Sequence, residues 1–210
     1  MSDFKLSRSP ISAFRGERFP GIGHNQGPPL DAAVSWRRHV WKKARRELLP
    51  RLPLEIIKRR VARAKQLGLE YPQYASILLG TGRDIVAFLF TSDALGVRLA
   101  RTPVLPGAVA DKLISIERCE RLLTTEATGN PMLLSREILR AHQIQMTGTA
   151  TLPERDAASW TEGRDAIQAA LRPLKLPADT VVMIGTERHE RTWADAAKLA
   201  RFIPAENYFS

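Results

Sequence analysis

Apolar positions recur at helical spacing in the first third of the chain and lose that spacing near its middle. Val34, Trp41 and Leu48 fall at i, i+7 and i+14, and Leu54, Ile57, Val61 and Ala64 fall at 0, 3, 7 and 10. Both stripes are narrow, and Arg and Lys fill the remaining faces. Asp31 stands where an N-cap belongs. Pro50 and Pro53 close the first helix and open the second, since proline fits a first helical turn but not an interior. Gly68 is placed to end the second helix as a C-cap. Ahead of both, residues 1–30 have no periodicity and end in FPGIGHNQGPPL, a composition too poor in apolar surface to offset ordering, so a flexible tail is expected there.

Between residues 74 and 90 the pattern does not separate strand from helix. YASILLGT fits a short helix beginning near Pro72, or a strand. RDIVAFLF fits a buried strand, or a buried helix capped by Asp84. Phe88, Phe90 and the β-branched Ile85 and Val86 favour strand. Farther on, AVADKLISIERCERLLTTE sets Val109, Leu113, Ile116 and Leu123 on one helical face, and Gly129-Asn130-Pro131 breaks it. Helices are expected over 132–145, over 153–171 in spite of Gly163, and over 193–202. MTGTATLP reads as a connection or short strand, and DTVVMIGT (179–186) as the clearest strand. The expected class is α/β, mostly helical with α+β character. A flexible tail (1–30) leads into a basic helical segment (31–68) and then a small-sheet α/β body (69–210).

Charge sharpens this division. Residues 1–68 hold 16 of the 32 Lys and Arg but only 5 of the 22 Asp and Glu, leaving +11 there and −1 in residues 69–210. A basic arm on a neutral body points to a polyanion, most commonly nucleic acid. The cations are Arg37, Arg38, Lys42, Lys43, Arg45 and Arg46 on the first helix, and Lys58, Arg59, Arg60, Arg63 and Lys65 on the second. Arginine predominates, which suits bidentate phosphate contact. Trp41 belongs with its apolar stripe, while Trp36 fits base stacking as well as packing. The run VARAKQLGLEYPQYASIL also fits a helix-turn-helix reaching residue 80. Ala64 would permit close crossing, Gly68 would supply the turn, and Gln73 could pair with adenine. Against this, the presumed reading helix has no Arg or Lys before Arg83.

Two segments share the pattern Gly-Thr-x-Arg, at 80–83 and 185–188. Thr81 with Arg83, and Thr186 with Arg188, could each hold an anion beside a helix start, although neither meets phosphate-loop spacing. Glu187, His189, Glu190 and Asp195 form the one acid/base cluster near a strand end. Cys119 is the only cysteine, which excludes an internal disulfide and a cysteine zinc site, and the four histidines form no i, i+4 pair. No run of 18 apolar residues exists to cross a membrane, and the expected compartment is the cytoplasm. The sequence thus predicts a non-catalytic, regulatory or accessory nucleic-acid-binding protein without metal or cofactor. DNA is favoured over RNA, and self-association is left open. The alternative is an enzyme using the Gly-Thr-x-Arg turns on a phosphorylated or nucleic-acid substrate.

Overall fold

The computed structural model describes residues 52–97, 104–154 and 159–210. The chain divides into two units, Met1–Leu52 and Pro53–Ser210, and the described residues belong almost entirely to the second. Its elements are α1 (Leu54–Gln66), α2 (Tyr71–Thr81), β1 (Ala87–Thr91), α3 (Gly107–Ser115), β2 (Glu120–Glu126), α4 (Pro131–His142) and β3 (Gly148–Leu152). They continue with α5 (Trp160–Leu171), β4 (Val181–Gly185), α6 (Arg188–Ala196), β5 (Arg201–Pro204) and α7 (Ala205–Phe209).

The five strands form one parallel sheet in the order β3-β2-β1-β4-β5. Parallel neighbours require crossovers, and helices covering both faces bury the central strands completely. Hence β1 (AFLFT) and β4 (VVMIG) are apolar runs buried at every position. The residues 74–90 that periodicity left open are helix to Thr81 and strand from Ala87. On one face Phe88, Phe90, Leu123 and Val182 pack with Leu67, Tyr74, Leu113 and Tyr208. On the other, Leu89, Leu122 and Met183 pack with Ile167, Leu171 and Trp193. The order reverses between β1 and β4, which makes the body a doubly wound α/β fold.

Two expected helices are each a helix followed by a strand. The first stops at Ser115, where Glu117 to Cys119 turn the chain and Arg118 takes a positive φ of 51°, and β2 follows. Val109, Leu113 and Ile116 are buried as the helical spacing required; Leu123 is buried from a strand. The second begins earlier than expected, at Arg188. It ends where Lys198 takes a φ of 58°, leaving Phe202 and Ile203 to β5. Gly129-Asn130-Pro131 is a helix start: the Asn130 side chain accepts from Leu133 N–H at 3.0 Å, with proline at the first position of α4.

Helix α1 also departs from its expected stripe. Ala64 and Leu67 are buried, but Leu54 and Val61 are 64% and 45% exposed, because only the C-terminal half of α1 lies over the body. Leu67 and Leu69 enter the core, Gly68 turns the chain at φ 63°, and the buried Tyr208 hydroxyl donates to the Leu67 carbonyl at 2.9 Å.

Candidate nucleic-acid interface

Of the expected phosphate-binding cations, Arg37, Arg38, Lys42, Lys43, Arg45 and Arg46 lie outside the described residues. The other five lie on α1 and divide into two groups. Arg63 faces inward, its side chain 16% exposed. Its Nε donates to Asp84 at 2.9 Å, Nη2 to the carbonyls of Ile85 (2.8 Å) and Arg118 (3.1 Å), and Nη1 to the Glu117 carbonyl (3.2 Å) and Gln66 (3.4 Å). All five guanidinium donors are occupied, which leaves none for phosphate. Asp84 is itself fixed by the Tyr74 hydroxyl and the Ile85 N–H, both at 2.9 Å. Burial, reinforced by that carboxylate, pushes the Tyr74 phenol up to about 12.

Lys58, Arg59, Arg60 and Lys65 make up the second group. Lys58 pairs with Glu55 of its own helix at 3.2 Å, both side chains well exposed, so the pair holds weakly. Arg59, Arg60 and Lys65 have no carboxylate within ion-pair distance among the described residues. Among the described residues the body thus pairs Arg63 with Asp84 and offers no carboxylate to Arg59, Arg60 or Lys65.

The two Gly-Thr-x-Arg segments are not equivalent in the fold. Gly80 and Thr81 end α2, and Gly82 is its left-handed C-cap. The Thr81 hydroxyl donates to Ile77 O or Arg83 O and accepts from Arg83 N–H, while Arg83 pairs with Asp179 at 3.4 Å, just before β4. Thr186 and Arg188 follow β4, at the opposite end of that strand. The similarity of the two segments is therefore not a structural repeat, and they do not combine into one anion site.

The crevice at the carboxyl ends of β1 and β4 is where a doubly wound sheet ordinarily takes a ligand. Here a resident carboxylate fills it. Glu190, 5% exposed, accepts from the N–H groups of Thr186 (2.7 Å) and Glu187 (2.9 Å) and bonds the Thr91 side chain. These are the backbone donors that an incoming phosphate would need. Glu187 and Glu190 form the capping box of α6, and His189 stacks edge-on against Trp193 at 4.6 Å. Burial raises the Glu190 carboxyl above its ordinary value even though these hydrogen bonds act the other way. Gly185 makes room for the arrangement, since a Cβ there would overlap the Glu190 carboxylate. The expected acid/base cluster is largely helix-capping machinery.

Gln73 lies apart from the α1 cations. It lines a cleft of about 540 Å³ beside the outer edge of β5, together with Arg191, Arg201 and Asn207. Ser76, one turn farther along α2, bonds Arg201 at 3.3 Å. The exposed positions of α2 are Pro72, Leu79 and Gly80, none with a polar side chain, while Gln73 and Ser76 are half-buried. Sequence reasoning missed this cleft because it placed residues 193–202 in one helix, which hides the edge strand. A break near Lys198, with Phe202 and Ile203 beyond it, was the signal available.

Comparisons with protein-family models, with curated proteins and with solved structures found no match for this chain. No helix among the described residues is long and apolar enough to cross a membrane. What the fold defines is a doubly wound α/β protein, and a fold of this kind does not fix a function. Only the sites themselves bear on function.

Proposed function

We propose that this is a non-catalytic nucleic-acid-binding protein that grips phosphates from the outer face of α1, with DNA preferred to RNA and a regulatory or accessory role. The observation that carries the reading is the division of labour on α1. Arg63, Ala64 and Leu67 fix the C-terminal half of the helix to the body, while Arg59, Arg60 and Lys65 have no carboxylate partner among the described residues. Cations free of carboxylates can meet a polyanion without first breaking an ion pair, and phosphate contact releases counterions without reading sequence. The basic residues 37–46 belong to the same continuous excess of charge.

The test is fluorescence anisotropy with nonspecific duplex at low salt. Changing Arg45, Arg46, Arg59 and Arg60 to Ala should abolish binding while circular dichroism and the unfolding midpoint stay as in the parent. Unaltered affinity in that variant would sink the proposal. The separation of the two Gly-Thr-x-Arg turns and the hydrogen bonds that Glu190 takes from Thr186 and Glu187 weigh against the enzyme alternative.

A further inference from the structure

The edge strand β5 has a walled groove along its unpaired side. Helices from both faces of the sheet overhang it: Gln73 and Ile77 of α2 and Asn207 of α7 on one side, Arg191 and Asp195 of α6 on the other. Val182 pairs with Arg201 and Ile184 with Ile203, and Pro204 has no N–H to give to β4, so Arg201 and Ile203 turn their N–H and C=O groups inward. Those of Phe202 face outward into the groove. Two arginines flank that outward pair. Arg201 extends over the α2 face to Ser76, and Arg191 lies over the Phe202 ring on the α6 face at 5.3 Å. Neither has a carboxylate within ion-pair distance among the described residues.

We propose that this groove is a docking site for a short extended peptide with two adjacent acidic residues, which adds to the sheet as a sixth strand beside β5. Neighbouring side chains of an added strand point to opposite faces of the sheet. Two consecutive carboxylates would therefore meet Arg201 on one face and Arg191 on the other. Asp195, one turn along α6 toward the start of β5, disfavours a further acidic residue there. The floor offers the Phe202 N–H beside the Phe202 carbonyl, a donor and an acceptor that match one residue of a peptide backbone. A DNA backbone brings only acceptors, which the outward carbonyl would repel. β5 has four residues and Pro204 lacks an N–H, so the added segment is short and its pairing centres on Phe202. The inference is independent of nucleic-acid binding through α1.

The test uses the full chain and a fluorescent peptide with the core Val-Glu-Glu-Val between Gly-Ser flanks. Its controls are a Val-Lys-Lys-Val counterpart and a Glu-Glu peptide N-methylated at alternate backbone positions. The Glu-Glu peptide should bind saturably, and the Lys-Lys and N-methylated peptides at least tenfold more weakly. Arg191→Glu with Arg201→Glu should weaken Glu-Glu binding at least tenfold, whereas Arg59→Ala with Arg60→Ala and Lys65→Ala should leave it unchanged. Three results would overturn the proposal: no saturable binding, equal binding of the N-methylated peptide, or displacement of the peptide by a single-stranded oligonucleotide in the α1 variant. Should the Arg191/Arg201 variant fail to fold, the comparison of methylated and unmethylated peptides on the parent chain decides alone.

Discussion

Arg63 carries the sharpest distinction between a basic residue that binds outward and one that holds the fold. By sequence it is one cation among five on a basic helix. In the structure its planar fork meets Asp84, three carbonyls and Gln66, an array that one ammonium group cannot reproduce. Arg63→Lys should therefore destabilise the protein by about 2–3 kcal/mol, most of it from carbonyls left without a donor. The Asp84 pair contributes less, because that carboxylate is nearly half exposed. Urea unfolding gives the magnitude; a loss within error of zero would mean that α1 does not depend on this clamp. Glu190 provides a pH-dependent counterpart. Its folded carboxyl titrates above the ordinary 4.5, so the folded protein holds that proton more tightly than the unfolded chain. The stabilisation from this group is complete below 4.5 and is lost as pH rises through the raised folded value. Glu190→Gln has no charge to bury. The unfolding midpoint of the variant relative to the parent should thus rise between about pH 4 and about pH 8. Scanning calorimetry at both values checks this, and a difference independent of pH would contradict it.

At the scale of elements, Gly163 shows why a locally discouraging residue still belongs in a helix. Glycine ordinarily lowers helix stability by about 1 kcal/mol relative to alanine. The Trp193 ring of α6 lies directly on this position of α5, where any Cβ would overlap it. Because overpacking costs about 1–3 kcal/mol, Gly163→Ala should destabilise in spite of the better propensity. Adding Trp193→Leu should make the alanine far less harmful, and a double-mutant cycle with no coupling would remove the explanation. The same contrast governs what the sequence disclosed. The apolar run of β4, the turn at Gly68 and the burial of Ala64, Val109, Leu113 and Ile116 were all legible, because each is fixed by local spacing. β2 and β5 were not, since each follows a helix after only a few residues and helical spacing carries across the junction. Lys198 and Arg118 mark those junctions with positive φ, which nothing in their side chains announces. The basic face of α1 was legible as charge. Its partition between Arg63 and its neighbours depends on Asp84 and Glu117, which lie far away in sequence.

At the scale of the whole molecule, the lopsided charge makes a quantitative demand. Each phosphate neutralised on duplex DNA contributes about −0.9 to the slope of log affinity against log salt. Replacing Arg59, Arg60 and Lys65 together by Ala should therefore make the parent slope shallower by about 2.7, provided each cation meets one phosphate. Arg63→Lys should lower the unfolding midpoint and leave that slope unchanged, since Arg63 has no free donor to offer. The pair of measurements separates the two roles on one helix, because a cation can alter the salt slope only by contacting phosphate and can alter the midpoint only by contacting protein. An unchanged slope in the triple variant would move the polyanion grip off α1. A shallower slope in Arg63→Lys would mean that the clamp opens when nucleic acid binds.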